Sequence, residues 1–471
     1  MVPERLAAVL AELAPVAERF EAAGHRVYLV GGTVRDFLLG RELDRDVDLT
    51  TDARPDETEA IVRPIADAVW LQGKRFGTIG CTVGGRTLEI TTHRAEAYRS
   101  DSRKPDVRFA DAVEADLSRR DFTVNAMALR LSPGATPEAV ALIDPFDGAA
   151  DLAAGRLRTP LDPETSFTDD PLRMLRAARF IAGYDLRPDD DLVAAVRALH
   201  DRLEIVSAER IRDELDRLVV VERPGSGLRF LVETGLAAEF LPELPALALA
   251  EDPLHRHKDV LAHTVAVVER ARPDRILRLA ALFHDVGKPK TRSFEPGGKV
   301  TFHHHEVVGA RMTRERMSAL RYPTDDIEQV SRLVELHLRF HGYDDAGDGG
   351  WTDSAVRRYA RDAGPLLLGK LNELTRADCT TRNRRKAAEL AARMDRLQAR
   401  IAALEEAEEL ASLRPDLDGN EVMELLGIGP GPDVGKAMAF LKELRIEHGP
   451  LGKEEAARRL HRWWAERSER P

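Results

Sequence analysis

Asp46 and Asp48 stand at alternate positions of the short run DVDLT (46–50). In an extended strand, residues i and i+2 project from one face, so the two carboxylates point the same way. Such a pair can hold two divalent ions about 4 Å apart, the arrangement that serves in-line displacement at phosphorus. Magnesium is the expected ion, because it takes oxygen ligands and nucleotide phosphates. A lone D-x-D is also common on solvated strands, so the flanking residues matter. Upstream, VYLVGG (27–32) reads as a short buried strand ending in a glycine turn, and TVRDFLLG as a helix closed by Gly40. Gly31 and Gly32 therefore lie between strand and helix, where backbone N–H groups can approach a triphosphate. Arg35 and Asp36 follow on that helix.

A second cluster lies between residues 255 and 380, which hold most of the histidines. His263 is in HKDVLAHTVAVV, His284 and Asp285 in LAALFHDVGKPKT, His303 to His305 precede Glu306, His337 is in LVELHLRF, and Asp378 in LTRADCT. A single helical histidine is ordinarily a satisfied core or surface group. Imidazoles and carboxylates gathered on successive helices suit a divalent transition metal.

The elements that must position these groups change character along the chain. Residues 1–23 read as an amphipathic helix, and CTVGGRTLEITTHR (81–94) as a hairpin turning at Gly84-Gly85. Mixed strands and helices fill the first 150 residues. From Asp169 onward nearly every segment has a 3.6-residue period, as in DDPLRMLRAARFIAGY and SAERIRDELDRLVV. The expected fold class is α+β: a head with a mixed sheet, then a mostly all-α remainder. Asp170 and Arg173, three apart in a helical run, are expected to share a face. Their simplest reading is a helix ion pair.

At 471 residues the chain exceeds one ordinary core, and two to four domains are expected. A formal charge of −11 excludes a general nucleic-acid coat, but not a local basic groove. The two cysteines, Cys81 and Cys379, cannot build a disulfide framework or a cysteine-rich zinc site and are expected to be reduced thiols. The N-terminus lacks the pattern of a signal peptide, and no stretch reaches the roughly 18 apolar residues of a membrane span. A cytoplasmic protein with no membrane association is expected, and no obligate protein partner is inferred.

The run GGTVRDFLLGRELDRDVDLT (31–50) resembles the signature of the tRNA nucleotidyltransferase and bacterial poly(A) polymerase superfamily, a group of polymerase-β-like nucleotidyltransferases. RRDFTVNAMA (119–128), DPFDG (144–148), DDPLRMLRAARF (169–180) and SAERIRDEL (207–215) continue the likeness in order. The resemblance implies that Asp46 and Asp48 hold the catalytic magnesium ions. It places Gly31, Gly32, Arg35, Arg119, Arg120, Asp121 and Asn125 around the incoming nucleotide, with Arg176 and Arg179 also nucleotide-binding. Glu209 and Arg210 would brace a helical neck. A third carboxylate is common in the wider fold; Glu89, on LEI, is the candidate, with a solvated strand glutamate as the alternative. The segment 91–109, with six basic side chains counting His93, would close on the nucleotide or primer end or be a solvated loop.

In such enzymes the acid and arginine at positions 170 and 173 contact the pairing edge of the base. Cytosine and adenine each present an amine donor beside a ring-nitrogen acceptor, whereas uracil and guanine present a carbonyl beside a ring N–H. An ionised Asp170 only accepts and Arg173 only donates, so the pair suits C and A. The implied reaction is template-independent addition of C, C and A to the tRNA 3′ end from CTP and ATP, with release of pyrophosphate. An A-adding, CC-adding or poly(A)-adding enzyme is the alternative.

The second cluster resembles the HD phosphohydrolase superfamily. By that likeness His263, His284, Asp285 and Asp378 bind one metal (Ni, Mn, Co or Fe), and His305 and His337 could add a second. His305 is chosen over His303 and His304 because HE-x-x-G follows it, as in relatives. Lys288 becomes a phosphate contact, and hydrolysis of 2′-phosphates or 2′,3′-cyclic phosphates a secondary activity. The implied division is a catalytic head (1–150), a helical neck with base- and RNA-binding groups (151–245), an HD domain (246–385) and a helical tail that grips tRNA (386–471). In the tail, Gly429, Gly431 and Gly435 could admit phosphate, and Trp463-Trp464 could pack on the body or meet RNA.

Overall fold

Val27–Val30 (β1) is buried on both faces, as four consecutive apolar residues require, and lies inside the sheet. A computed structural model of the chain describes residues 2–41, 46–94, 109–137, 139–248, 259–295, 300–342, 351–380, 384–408 and 414–468. β1 is joined by Asp46–Thr51 (β2), Ala68–Trp70 (β3), Thr78–Val83 (β4), Arg86–Thr92 (β5), Ala128–Leu131 (β6) and Leu142–Ile143 (β7) in the order β3-β4-β5-β2-β1-β6-β7. β2 and β5 run parallel and the other neighbours antiparallel, so the sheet is mixed as expected. The β4–β5 hairpin turns at Gly84 and Gly85, with Val83 opposite Arg86.

The helix Val2–Ala22 lays one stripe on this sheet: Leu6, Val9, Leu10, Leu13, Val16, Ala17 and Phe20. Their spacing is that of an amphipathic helix with a single apolar face. They pack with Val47, Leu49, Ile79, Leu88 and Ile90 from the strands. Burying Val47 and Leu49 turns the alternate residues Asp46 and Asp48 outward, to the exposed side of β2.

One expected element begins later than its periodicity suggests. The run from Asp169 is two helices, Pro163–Asp169 and Leu172–Tyr184, with Asp170 between them in extended backbone (φ −140°, ψ 96°). Pro171 is the cause, because its ring disfavours α geometry in the preceding residue. Asp170 and Arg173 therefore do not share a helical face. Instead Asp170 Oδ1 accepts from the Leu172 N–H (3.2 Å) at the start of the second helix.

The chain divides into two compact units, Met1–Pro242 and Glu243–Pro471. Among its described residues the second is built of helices apart from the short pair Arg292–Phe294 and Val300–Phe302. Toward its C-terminus the helices Gly419–Leu426 and Pro432–His448 flank the glycine- and proline-rich turn, and Trp463 stacks on Phe440 with centroids 4.6 Å apart. Trp463 thus packs on its own helical partner. No described helix is long and apolar enough to cross a membrane. Both thiols are free: Cys81 is buried, which pushes it up to about 11, and Cys379 is half-buried.

Candidate active site

The parallel pairing of β2 with β5 places Glu89 directly beside Asp48, at a distance along the chain that only the sheet order can bridge. Three acids, Asp46, Asp48 and Glu89, therefore gather on one side of two neighbouring strands. Their electrostatics show the crowding. Desolvation and then the Asp46 charge raise the Asp48 carboxyl, against the opposing pull of Arg120. Desolvation, Asp48 and Asp46 together raise Glu89. Acids that disfavour one another's charge in an oxygen-only set fit a hard divalent cation, which would relieve that repulsion.

Gly31 closes the other side. Its φ of +71° favours glycine, and an added Cβ would lie 2.7 Å from Arg120 Nη1 and 3.7 Å from Asp48 Oδ2. The missing side chain lets the Arg120 guanidinium lie against the strand–helix turn beside the acids. Arg120 and Arg119 are themselves held by Asp116, at 3.0 and 3.3 Å.

The remaining expected nucleotide groups form one hydrogen-bonded chain. Arg35 donates to Asn125 Oδ1 (2.5 Å) and to both oxygens of Asp36, and its guanidinium lies 4.1 Å from the Tyr184 ring centroid. Asn125 Nδ2 donates to Asp121 Oδ1 (2.9 Å), and Asp121 Oδ2 accepts two bonds from Arg176 (2.8 and 2.6 Å). Burial opposes ionisation of Asp121, but Arg176, Asn125 and Arg173 hold it far below the usual carboxylate range. Arg176 and Arg179 both donate to Glu214. Asp121 is thus held through both oxygens, and Arg35 through Nε, Nη1 and Nη2.

Among the buried acids of this unit, Asp116 and Glu214, which hold arginines of the site, escaped the sequence reading. Glu209, the expected brace, is exposed, and Glu214 does the bracing. Both hidden acids carry a readable signal. Asp116 shares a helix face with buried Val113 and Leu117, and Glu214 with Ile211, Leu215 and Leu218. An acid on the apolar stripe of a helix demands buried cations.

Arg173 is 8% exposed and donates to Ser166 Oγ (2.8 Å) and to the backbone oxygen of Arg119. Asp170 is half-buried and accepts from Arg210 (3.0 Å). The buried arginine and the half-buried acid stand on either side of Pro171. Most of the 91–109 segment lies outside the described residues.

In the second unit all six expected ligands come together. His263, His284 and Asp378 form one group, and Asp285, His305 and His337 another, with ligand atoms within 4.8 Å of one another in each. Asp285 joins them: its Oδ2 lies 3.2 Å from His284 Nε2 and its Oδ1 3.4 Å from His305 Nε2. The rings are aimed by their far nitrogens. Nδ1 of His284, His305 and His337 each bonds the backbone oxygen three residues earlier, at 2.7, 2.8 and 2.6 Å, and His263 Nδ1 bonds Thr380 Oγ1 at 2.8 Å. That turns Nε2 of each ring inward, toward the other members of the cluster, as the ligand atom. Burial pushes His337 down to about 3, which keeps it neutral as a ligand must be. Among the described residues His305 Nε2 is buried without a hydrogen bond. This donor set fits a transition metal. His303 and His304 are exposed, and Lys288 sits on Asp285 at 2.6 Å.

Close helix approach makes this geometry possible. A Cβ on Gly287 would stand 2.1 Å from the His305 backbone oxygen and 2.7 Å from Gly309 N. Gly287→Ala is expected to cost about 3 kcal/mol by overpacking and to displace His305. Thermal unfolding and a nickel or manganese titration would check this; an unchanged melting temperature and metal affinity would refute it.

The comparisons with known proteins agree with this architecture. Residues 27–158 match the family described as Poly A polymerase head domain, 185–247 that described as Probable RNA and SrmB- binding site of polymerase A, and 258–404 the HD domain. The A-adding tRNA nucleotidyltransferase of Deinococcus radiodurans is 34% identical over 455 residues, covering 93% of this chain and 95% of that one. The CC-adding tRNA nucleotidyltransferase of Thermus thermophilus is 33% identical over 450 residues, 92% and 93% of the two chains. Among solved structures, the Bacillus stearothermophilus CCA-adding enzyme in complex with CTP superposes with a TM-score of 0.70 at 23% identity over 98% of this chain and 99% of that one, a likeness of fold. The chain belongs to the tRNA nucleotidyltransferase and poly(A) polymerase family, and it is a nucleotidyltransferase carrying an HD domain.

Proposed function

We propose that this enzyme adds C, C and A to the 3′ end of tRNA without a nucleic-acid template, using CTP and ATP. The observation that carries the reading is the placement of Glu89 beside Asp48 in register, with Asp48 and Arg120 both against the Gly31 turn. Asp46, Asp48 and Glu89 would hold magnesium, which supplies Lewis acidity at the phosphates. Arg119 and Arg120 bind the triphosphate and ribose. The terminal tRNA hydroxyl attacks the α-phosphorus, the new P–O bond forms, and the bond to pyrophosphate breaks. The protein contributes orientation and fixed positive charge. Asp170 and Arg173 read the base. That one pair suits both bases is consistent with relatives of nearly equal identity that are named for adding A and for adding CC. The working division is the head, neck, HD body and tail bounded at 150, 245 and 385.

The test supplies tRNA ending before CCA with CTP alone, ATP alone, or both, in magnesium, with products resolved at single-nucleotide length. Two additions with CTP and three with both are expected. Arrest after two with both triphosphates identifies a CC-adding enzyme. Addition of A solely to tRNA already ending in CC identifies an A-adding one.

The inward-facing Nε2 atoms around Asp285 favour a second activity, hydrolysis of RNA-end 2′-phosphates or 2′,3′-cyclic phosphates at the HD site. Protein loaded with nickel, manganese, cobalt or iron yet inert on both substrates would oppose it.

A further inference from the structure

We infer that Asp116 is a positioning residue for the nucleotide site, anchoring Arg119 and Arg120 in the posture in which they meet the nucleotide's phosphates; this rests on the reading of those two arginines given above.

Asp116 is fully buried on the inner face of the Val113–Ser118 helix. Its oxygens take three donors from two directions. Oδ1 accepts from Arg119 Nε (3.3 Å) and from the backbone N–H of Arg94 (3.4 Å), and Oδ2 accepts from Arg120 Nη2 (3.0 Å). Burial opposes its ionisation, but Arg120 and Arg119 outweigh that and hold it below the usual carboxylate range. It is therefore a charged, saturated anchor.

The groups it holds reach the metal-side turn and Arg173. Arg120 spans from Asp116 at Nη2 to the Gly31 turn at Nη1, where Asp48 is the next neighbour. The backbone oxygen of Arg119 receives Arg173, the base-reading arginine. Arg94 lies two residues beyond the end of β5, the strand that carries Glu89. The side chains of Arg119 and Arg120 are 23% and 20% exposed, so each is tethered at Asp116 and still reaches the surface of the site. A free arginine samples many rotamers, and ordering it weakens ligand binding; a buried anchor removes that ordering cost beforehand. Neither arginine needs to touch Asp116 for the chemistry, so the acid acts through them.

Asp116→Asn keeps the shape but turns an amide N–H toward the guanidiniums. The expected result is a KM for both CTP and ATP raised about tenfold, the scale of one lost charged hydrogen bond, with kcat changed much less. Combined with Arg120→Ala, the KM increase should fall well short of the product of the single effects. A purely structural acid would lower the melting temperature and the active fraction while leaving KM unmoved. Unchanged KM in folded Asp116→Asn, or fully multiplicative effects, would overturn the inference. Should Asp116→Asn not fold, Arg120→Lys serves: lysine keeps the charge but lacks the fork that spans Asp116 and Gly31, so the same KM rise is expected and its absence counts against the proposal. An Arg120→Ala enzyme with unaltered KM would overturn the reading of Arg120 and this inference with it, whereas a silent Asp116→Asn beside an impaired Arg120→Ala overturns the inference alone.

Discussion

Asp48→Asn and Asp46→Ala should each cut nucleotide addition by about a thousandfold or more while leaving the protein folded and any HD-site hydrolysis intact. The size follows from the several kcal/mol of transition-state charge stabilisation that a metal site supplies, each 1.4 kcal/mol or so being tenfold in rate. The sparing of the fold follows from the sign of the Asp48 shift. Desolvation and Asp46 raise its folded pKa, so ionised Asp48 opposes folding at neutral pH, and its contribution becomes less unfavourable as pH falls through the raised value. Replacing it by a neutral isostere removes that opposition. The melting temperature of Asp48→Asn without metal should be equal to or above that of the parent. Magnesium should raise the melting temperature of the parent and not of the variant, because a ligand stabilises only the state that binds it. Residual addition within tenfold of the parent would refute the assignment. Loss of hydrolysis together with addition would show that the two sites are not independent.

The parts of this site that the sequence exposes are those set by local geometry. The i, i+2 spacing of Asp46 and Asp48 needs only a strand, and Gly31 only a turn between strand and helix. Glu89 lies beyond that reach, because its meeting with Asp48 depends on β5 pairing in parallel with β2 while β1 occupies the other edge of β2. Likewise Asp116 and Glu214 resemble solvated helix acids unless each is counted on its helix's apolar stripe. The Asp170 misreading has a different origin. The 3.6-residue period over 169–184 predicts one helix, whereas Pro171 disfavours α geometry in the residue before it and breaks the run there. In the HD unit the six ligands were legible by residue type and order. What aims them is in part local, the backbone oxygens three residues back, and in part the Gly287–Gly309 contact, which appears only when helices meet.

That Pro171 break shapes the second large effect expected, on base choice. Asp170→Asn should reduce the preference for CTP over UTP, and for ATP over GTP, by about 10- to 100-fold each. An acid that only accepts leaves the carbonyl of uracil or guanine unmet, and one buried unsatisfied polar group costs about 1–3 kcal/mol. Asparagine can donate to that carbonyl through Nδ2, so this penalty is relieved, while Arg173 still opposes the ring N–H of the wrong base. Discrimination should therefore fall without inverting. The local fold should survive, because Asn Oδ1 can still accept the Leu172 N–H that Asp170 now caps. Arg173 should stay in place, held by Ser166 and the Arg119 backbone and not by Asp170. Arg210, which now occupies both Asp170 oxygens and is half-exposed, must yield them to a base. Arg210→Ala should accordingly leave base preference intact even where it alters nucleotide affinity. The decisive feature is symmetry. Cytosine and adenine offer the same donor–acceptor edge, so the cytidine and adenosine preferences must fall together. A change in one alone would mean that C and A are read by different groups, and an unchanged pattern across all four triphosphates would remove Asp170 from base selection altogether.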